Sequence, residues 1–352
     1  MTRPPIEDEP RSATIAAIAE EVGVSVATVS KVLNGRADVA QETRARVEAS
    51  LVRHRYRRRP RRPATTSSQI ELVFHEYDSG WAMEIIRGVE AVTAAAKIGV
   101  LLSQLGGSHR PPDGWLEGML GRRPLGVVLV LCSLTPSQQL QLRQRQIPFV
   151  VVDTDSATTA SVPTVGSNNW NGGLLAARHL LELGHRRIAV ISGPKDVLCS
   201  QARVAGFGFG HDEAGLTVDP DLVRYGNFHV NAGYEHGMEL LTRPGRPTAI
   251  FAGSDMQAMG VLRAARRLGV EVPGQLSVIG YDNLPLAAWT DPALTTVNQP
   301  LRDMAGTATR MLLDLARGIE PASTRIDLVT ELVVRESTAA PYPDRDMARV
   351  PD

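Results

Sequence analysis

At 352 residues, 43% hydrophobic and 22% charged, the chain is long enough for two or three packed units and too polar to be embedded in a membrane. Its start, MTRPPIEDEPRS, has neither the basic opening nor the apolar stretch of an export signal, so a cytoplasmic protein without membrane contact is expected, and two cysteines, Cys132 and Cys199, argue against a disulfide framework or a cysteine zinc site. The zero net charge hides an asymmetry: residues 1–63 carry 13 Arg and Lys against 8 Asp and Glu, a balance of +5 that the remainder cancels.

In chain order, residues 1–12 read as a flexible start and 13–56 as a small helical unit. Thr14 can cap a helix with Ile15, Ile18, Ala19 and Val22 on one face, and Gly23 can end it. Ser25 can cap a second helix in which Val29, Val32 and Leu33 face inward while Val26, Ala27, Ser30 and Lys31 are left for a partner. A third helix from about Gln41, with Val47 and Leu51 on its stripe, completes helix-turn-helix spacing. Residues 57–68 read as an Arg/Pro-rich hinge linker: seven of the ten residues 53–62 are arginine, a density that either meets phosphates or stays solvated.

From Gln69, β-branched runs alternate with helical patterns: IELVF, VLLSQL, GVVLVL, PFVVVD, RIAVISG, LVRYG, TAIFAG, LSVIGYD, TTVNQP and a final LVTELVVRES. About ten strands over 270 residues predict an α/β core of two doubly wound parallel sheets, with a single barrel as competitor. Expected boundaries are a first lobe at about 69–166 and 299–322, a second at about 167–298 and 323–338, and a flexible tail at 339–352. Ligands of doubly wound sheets lie beyond the strands' carboxyl ends, which singles out Tyr77, Asp78, Trp81, Asp153, Asp155, Phe228 and Asp282. As alternatives, strand-end aspartates serve as turn or cap residues, with Asp255 expected to cap the next helix; Arg203 could be a surface ion pair, and Trp289 a core or interface residue.

The segment Thr14–Gly35, with Glu42-Thr-Arg44, Val47 and His54-x-Tyr56, resembles the DNA-binding headpiece of the lactose/galactose (LacI/GalR) repressor family. The resemblance continues through Glu84–Glu90, Arg178–Val190, Arg203-x-x-Gly-Phe207, Pro247–Asp255, Val278–Asn283 and Leu294–Gln299, covering about residues 13–338. It implies a headpiece on a core like the periplasmic sugar-binding proteins. Val26, Ala27 and Lys31 would read bases, and Thr14, Ser25, Thr28, Ser30 and Asn34 would hold phosphates. The implied pocket is Trp81, Asp153, Arg203, Phe228, Ser254 and Asp282, joined by Asp78, Asn169, Trp170 and Gln299. The implied partners are a pseudo-palindromic operator in double-stranded DNA, a second copy of the chain, and a small-molecule effector.

Carboxylates, an arginine fork and aromatic faces suit a sugar or oligosaccharide. Val197 and Cys199 stand where purine-binding relatives place polar contacts, which argues against a nucleobase. The sequence departs from the family at the hinge: Arg57-Arg-Arg-Pro-Arg-Arg-Pro63 replaces the usual minor-groove helix and lacks its leucine lever, so Arg57, Arg58, Arg59, Arg61 and Arg62 are expected to enter or flank the minor groove instead. No phosphate-binding glycine loop, HExxH or GxSxG is present, and the histidines lack metal-ligand spacing; neither cofactor, metal nor catalysis is expected. The pair Asp153 and Asp155 is the one hint of a carbohydrate-processing enzyme. A regulator of carbohydrate genes is the function implied, with a non-sugar ligand, or none, as alternative.

Overall fold

The computed structural model describes residues 14–33, 35, 39–54, 56, 68–107, 109–153 and 162–342. The expected flexible start, Asn34, Arg57, Arg58, Arg59, Arg61, Arg62 and Asp155 lie outside the described residues. The first unit is three helices, α1 (Ile15–Val22), α2 (Val26–Leu33) and α3 (Gln41–Arg53). Thr14 Oγ1 accepts from Ala17 N at 3.2 Å and Ser25 Oγ from Thr28 N at 3.1 Å, so each of the first two helices starts on a hydroxyl that satisfies an otherwise orphaned amide. Gly23, at φ 70°, makes the turn between them. Ile18, Val22, Val29, Val32, Leu33, Val47 and Leu51 form the small core. Glu21 ties α1 to α3, accepting from Ser50 at 3.0 Å, Arg53 at 2.7 Å and His54.

The remainder alternates strand and helix. Its first half runs β1 (Gln69–Phe74), α4 (Gly80–Ala95), β2 (Gly99–Gln104), α5 (Asp113–Arg122), β3 (Val127–Val130), α6 (Pro136–Gln144), β4 (Phe149–Val152) and β5 (Thr164–Ser167). A second half runs α7 (Asn169–Glu182), β6 (Ile188–Ser192), α8 (Leu198–Glu213), β7 (Val223–Tyr225), α9 (Val230–Thr242), β8 (Ala249–Ala252), α10 (Asp255–Arg267), β9 (Ser277–Asp282) and β10 (Thr295–Asn298). The chain then returns through α11 (Leu301–Ala316), β11 (Arg325–Leu328) and β12 (Glu331–Val333). Two six-stranded sheets result, ordered β11-β5-β4-β3-β1-β2 and β12-β10-β9-β8-β6-β7, and every pairing is parallel except β10 with β12. The central strands VVLV, FVVV, IAVIS and AIFA are buried along their whole length, as parallel strands covered on both faces must be. Strand order reverses at β1/β3 in one sheet and at β6/β8 in the other, which opens a crevice at the carboxyl edge of each.

Three features differ from the sequence reading. The final run LVTELVVRES is two short strands: Leu328 ends β11, Glu331 begins β12, and Thr330 Oγ1 between them donates to Asn168 O. Consequently residues 325–328 belong to the first sheet, paired in parallel with β5, and not to the second lobe expected for 323–338 as a whole; the chain leaving α11 meets the open edge of its own lobe first. Finally, the tail expected to be flexible from 339 is tied down at its start, where Ala339 N donates to Ser277 Oγ and Ala339 O accepts from Ser277 and His185. α5 and β5 carried no usable pattern: α5 holds Gly114, Gly118 and Gly121, and β5 is the four residues TVGS.

Candidate functional site

Two sites emerge. On α2 the caps and core use one face, leaving Val26, Ala27 and Lys31 exposed on the other, with Val26 52% accessible. An exposed valine at the first position of a short, Ser-capped helix suits an apolar contact with a base edge and has no other evident use. Thr14 and Ser25 cap α1 and α2 at their amino ends, and Ser25 Oγ lies 2.9 Å from Thr28 Oγ1.

The second site is the crevice between the carboxyl edges of the two sheets, with an empty volume, mouth included, of about 1080 Å³. Many of its lining groups follow a strand: His75, Glu76 and Asp78 follow β1, Leu131 β3, Asp153 β4, Asn227 and Phe228 β7, Ser254 β8, and Asp282 ends β9, while Trp81, Cys199, Arg203 and Met256 come from helices. Leu131, Asp153, Phe228 and Asp282 all have positive φ, at 51°, 51°, 63° and 106°. Side chains other than glycine pay on the order of 1–3 kcal/mol for sparsely populated backbone geometry, and its concentration here marks a site where direction outranks comfort. Gly193 leaves room for the Phe228 ring, which an added Cβ would overlap.

Arg203, on α8, forms the floor and is 3% exposed. Its guanidinium donates to Asn169 Oδ1 at 2.8 Å, to Gln299 Oε1 at 3.2 Å and to Gly253 O, and lies 3.6 Å from the Tyr281 ring centroid. Burial works against that charge, but Tyr281, Asp282 and Asp153 around it outweigh burial and hold its pKa above the usual arginine value. Gln299 Nε2 in turn donates to Asp153 Oδ2 and Ser167 Oγ, both at 3.0 Å. A chain of hydrogen bonds therefore joins Asp153 of the first lobe to Arg203 of the second through a residue of the crossover. Burial raises the carboxyl pKa of both Asp153 and Asp282, with Arg203 opposing it in each case. Cys199 lines the same floor, and burial pushes its thiol up to about 12, leaving a small apolar surface rather than a nucleophile.

The comparisons agree with this division. Residues 14–59 match the family of bacterial regulatory proteins, lacI family, and residues 177–338 match the periplasmic binding protein-like domain. The HTH-type transcriptional repressor PurR of Salmonella arizonae is 36% identical over 340 residues, covering 94% of this chain and 99% of that protein. The chain belongs to the LacI family. Among solved structures, a transcriptional regulator CelR–cellobiose complex matches with TM-score 0.71 and 30% identity over 92% of this chain and 99% of that one. The lac repressor dimer bound to operator and the anti-inducer ONPF matches with TM-score 0.67 and 25% identity over 94% and 100%. The protein is thus a DNA-binding transcriptional repressor of the LacI family, whose members bind operator DNA and small-molecule effectors and act as dimers. No helix among the described residues is long and apolar enough to cross a membrane.

For this LacI-family chain, the structure brings Asp78, Trp81, Asp153, Arg203, Phe228, Ser254 and Asp282 together in one cleft. Ser254 also caps α10, accepting from Gln257 N at 3.0 Å and donating to Phe228 O at 2.7 Å, so the cap is one residue earlier than the expected Asp255. Three expected ligand residues stand elsewhere. Asn169 and Gln299 lie behind Arg203 and Asp153 and position them. Trp170, one residue and about 100° around α7 from Asn169, points outward against Phe209, with ring centroids 5.1 Å apart. Trp289 is 80% exposed and away from the cleft. The sequence reading missed His75, Glu76, His109 and His229 as lining groups; the strand-end rule that singled out Asp78 would have reached His75 and Glu76, which directly follow β1.

Proposed function

We propose that this chain is a homodimeric cytoplasmic repressor of carbohydrate uptake or catabolism genes, with its operator affinity set by a sugar bound between the core lobes. Supporting the sugar is one set of residues lining a single cleft: the buried carboxylates of Asp153 and Asp282, the buried guanidinium of Arg203, which lies 5.4 Å from the Phe228 ring centroid, and the indole of Trp81. Carboxylates accept from vicinal hydroxyls, the fork donates, and the rings cover the apolar face of a pyranose. The LacI-family regulator from Enterococcus faecium solved with bound ribose, 26% identical with TM-score 0.69 over 77% of this chain and 99% of that one, supports the same class.

Residues 13–56 read the operator, Val26, Ala27 and Lys31 at base edges and Thr14, Ser25, Thr28, Ser30 and Asn34 at phosphates; residues 57–68 link them to the core. The effector bridges Asp153 of one lobe and Arg203 of the other, so its binding free energy favours the closed arrangement and is coupled to the spacing of the two headpieces. The arginines at 57, 58, 59, 61 and 62 add phosphate or minor-groove contacts; changing them to alanine should lower the slope of log affinity against log salt, and an unchanged slope removes them from the interface. The protein regulates and does not turn its ligand over.

The similarity to PurR favours a second reading, a nucleobase effector, against which stand the apolar Val197 and Cys199 on the cleft wall. Operator binding followed by fluorescence anisotropy, with sugars and purines added in turn, separates the two. A purine that alone changes operator affinity refutes the sugar reading.

A further inference from the structure

Resting on the sugar reading, we infer that the mouth of the cleft is a second sugar subsite, so that the effector is a neutral disaccharide or longer oligosaccharide. The polar groups of the cleft fall into two sets. On the floor Asp153, Arg203, Ser254 and Asp282 are each at most 6% exposed. Around the mouth His75, Glu76, Asp78, His109, Asn227 and His229 are half-buried or exposed, and they come from both lobes. The floor set already matches one ring with acceptors, a donor fork and aromatic cover, which leaves the mouth set without a function.

Three observations give it one. His75 Nδ1 is buried and meets no partner among the described residues, and buried polar atoms left unsatisfied in a protein are commonly completed by water or ligand. The His75 ring stacks on His109 at 4.6 Å with planes 20° apart, and His109 Nδ1 donates to Leu131 O at 2.7 Å, leaving its Nε2 as an acceptor. Burial, followed by the neighbouring His109, lowers the His75 pKa to about 4, so at neutral pH the ring is an uncharged donor–acceptor, the partner a hydroxyl wants.

Charge excludes other occupants. Among the described lining residues Arg203 is the single guanidinium or ammonium, and it stands on the floor, where three of its five N–H groups are bonded to Asn169, Gln299 and Gly253 and the rest serve the first ring; the mouth itself carries Glu76 and Asp78. A phosphate or carboxylate carried on the second ring would sit against the Glu76 and Asp78 carboxylates at the mouth, away from Arg203 on the floor. His229 Nε2 of the second lobe lies 3.4 Å from Glu76 Oε2 of the first, so a ring seated there touches both lobes and contributes to closure.

Calorimetric titration of the full chain with glucose, galactose, cellobiose, maltose, lactose, glucose 6-phosphate and hypoxanthine tests this. At least one disaccharide should bind about tenfold or more tightly than its component monosaccharides, the worth of one added hydrogen-bonding set, and glucose 6-phosphate should not bind. His75→Phe keeps a ring on His109 and removes the nitrogens; the disaccharide should lose about tenfold more affinity than the monosaccharide does. A monosaccharide that binds as tightly as every disaccharide, or a His75→Phe variant that weakens both alike, overturns the second subsite and leaves the sugar reading standing. Binding of hypoxanthine or glucose 6-phosphate alone, or of nothing in the panel, overturns both.

Discussion

Asp255, the first residue of α10, is fully buried just behind the cleft, where it accepts from Leu284 N at 2.7 Å and from the Thr296 hydroxyl at 2.5 Å. Burial raises its carboxyl from 3.8 to about 7, hydrogen bonding notwithstanding. The folded state therefore keeps a proton that the unfolded chain gives up near pH 4. Stability contributed by this group is full below pH 4 and is lost as pH rises to about 7, at about 1.4 kcal/mol per pH unit, or about 4 kcal/mol across the window. In Asp255→Asn the carbonyl still accepts from Leu284 N, and the Thr296 hydroxyl turns to accept from the new amide. No charge remains to be desolvated. The variant should equal the parent near pH 4 and melt higher at pH 8, by roughly 10 °C at the 2–4 °C per kcal/mol usual for units of this size. Thermal melts at pH 4.5, 6 and 8, read as the difference between the two proteins, check it. A difference that does not grow with pH, or a variant less stable at pH 8, refutes the assignment of the proton to Asp255.

Three further outcomes follow. Arg203→Met removes the donor to three buried acceptors and leaves Asp153 and Asp282 without a counter-charge, so stability should fall by about 3–5 kcal/mol and effector affinity by about 100-fold; calorimetry showing an unchanged effector constant would remove Arg203 from the site. Gly206→Ala drives a methyl group into the Trp170 carbonyl where α7 crosses α8, costing about 1–3 kcal/mol in denaturant melts while effector affinity stays within a few-fold; an unchanged midpoint would mean that the helix pair gives way freely. Lys31→Ala should cost about 1–3 kcal/mol of operator affinity and relax preference at one base pair per half-site, whereas uniform weakening with a shallower salt slope would assign the side chain to a phosphate.

Much of the fold was legible because its period signals are strong. VVLV, FVVV and AIFA can only be buried parallel strands once helices alternate with them, and the hydroxyl caps at Thr14 and Ser25 announce the first two helices. What escaped was set by tertiary position. β11 alternates exposed and half-buried residues at a sheet edge, and nothing local says which sheet receives it. The cleft was half legible for the same reason. Strand ends can be counted along a chain, which found Asp78, Asp153 and Asp282. Whether a side chain such as Gln299 or Asn169 faces the cavity or stands behind Arg203 depends on which neighbour takes its hydrogen bonds. His109 and His229 are contributed by loops of opposite lobes, and their meeting around one mouth has no signature in either loop alone.

The first lobe is completed late. Its hydrophobic core draws Leu301, Met304, Ala305, Ala308, Leu312 and Leu313 from α11, and its sheet takes β11 as an edge, both after every strand of the second lobe but β12. On a ribosome adding about 5–20 residues per second, the stretch from Ser167 to Leu328 takes roughly 10–30 s, during which one apolar face of β1, β3 and β4 has α4 but not α11 against it. The second lobe lacks only its edge strand β12 and the segment that follows it, so most of its sheet, β6 to β10, can pair in that interval. Newly made protein therefore passes through a stage with one lobe short of an edge strand and the other short of a covering helix, and premature termination before α11 yields a chain that chaperones will hold and proteases will find.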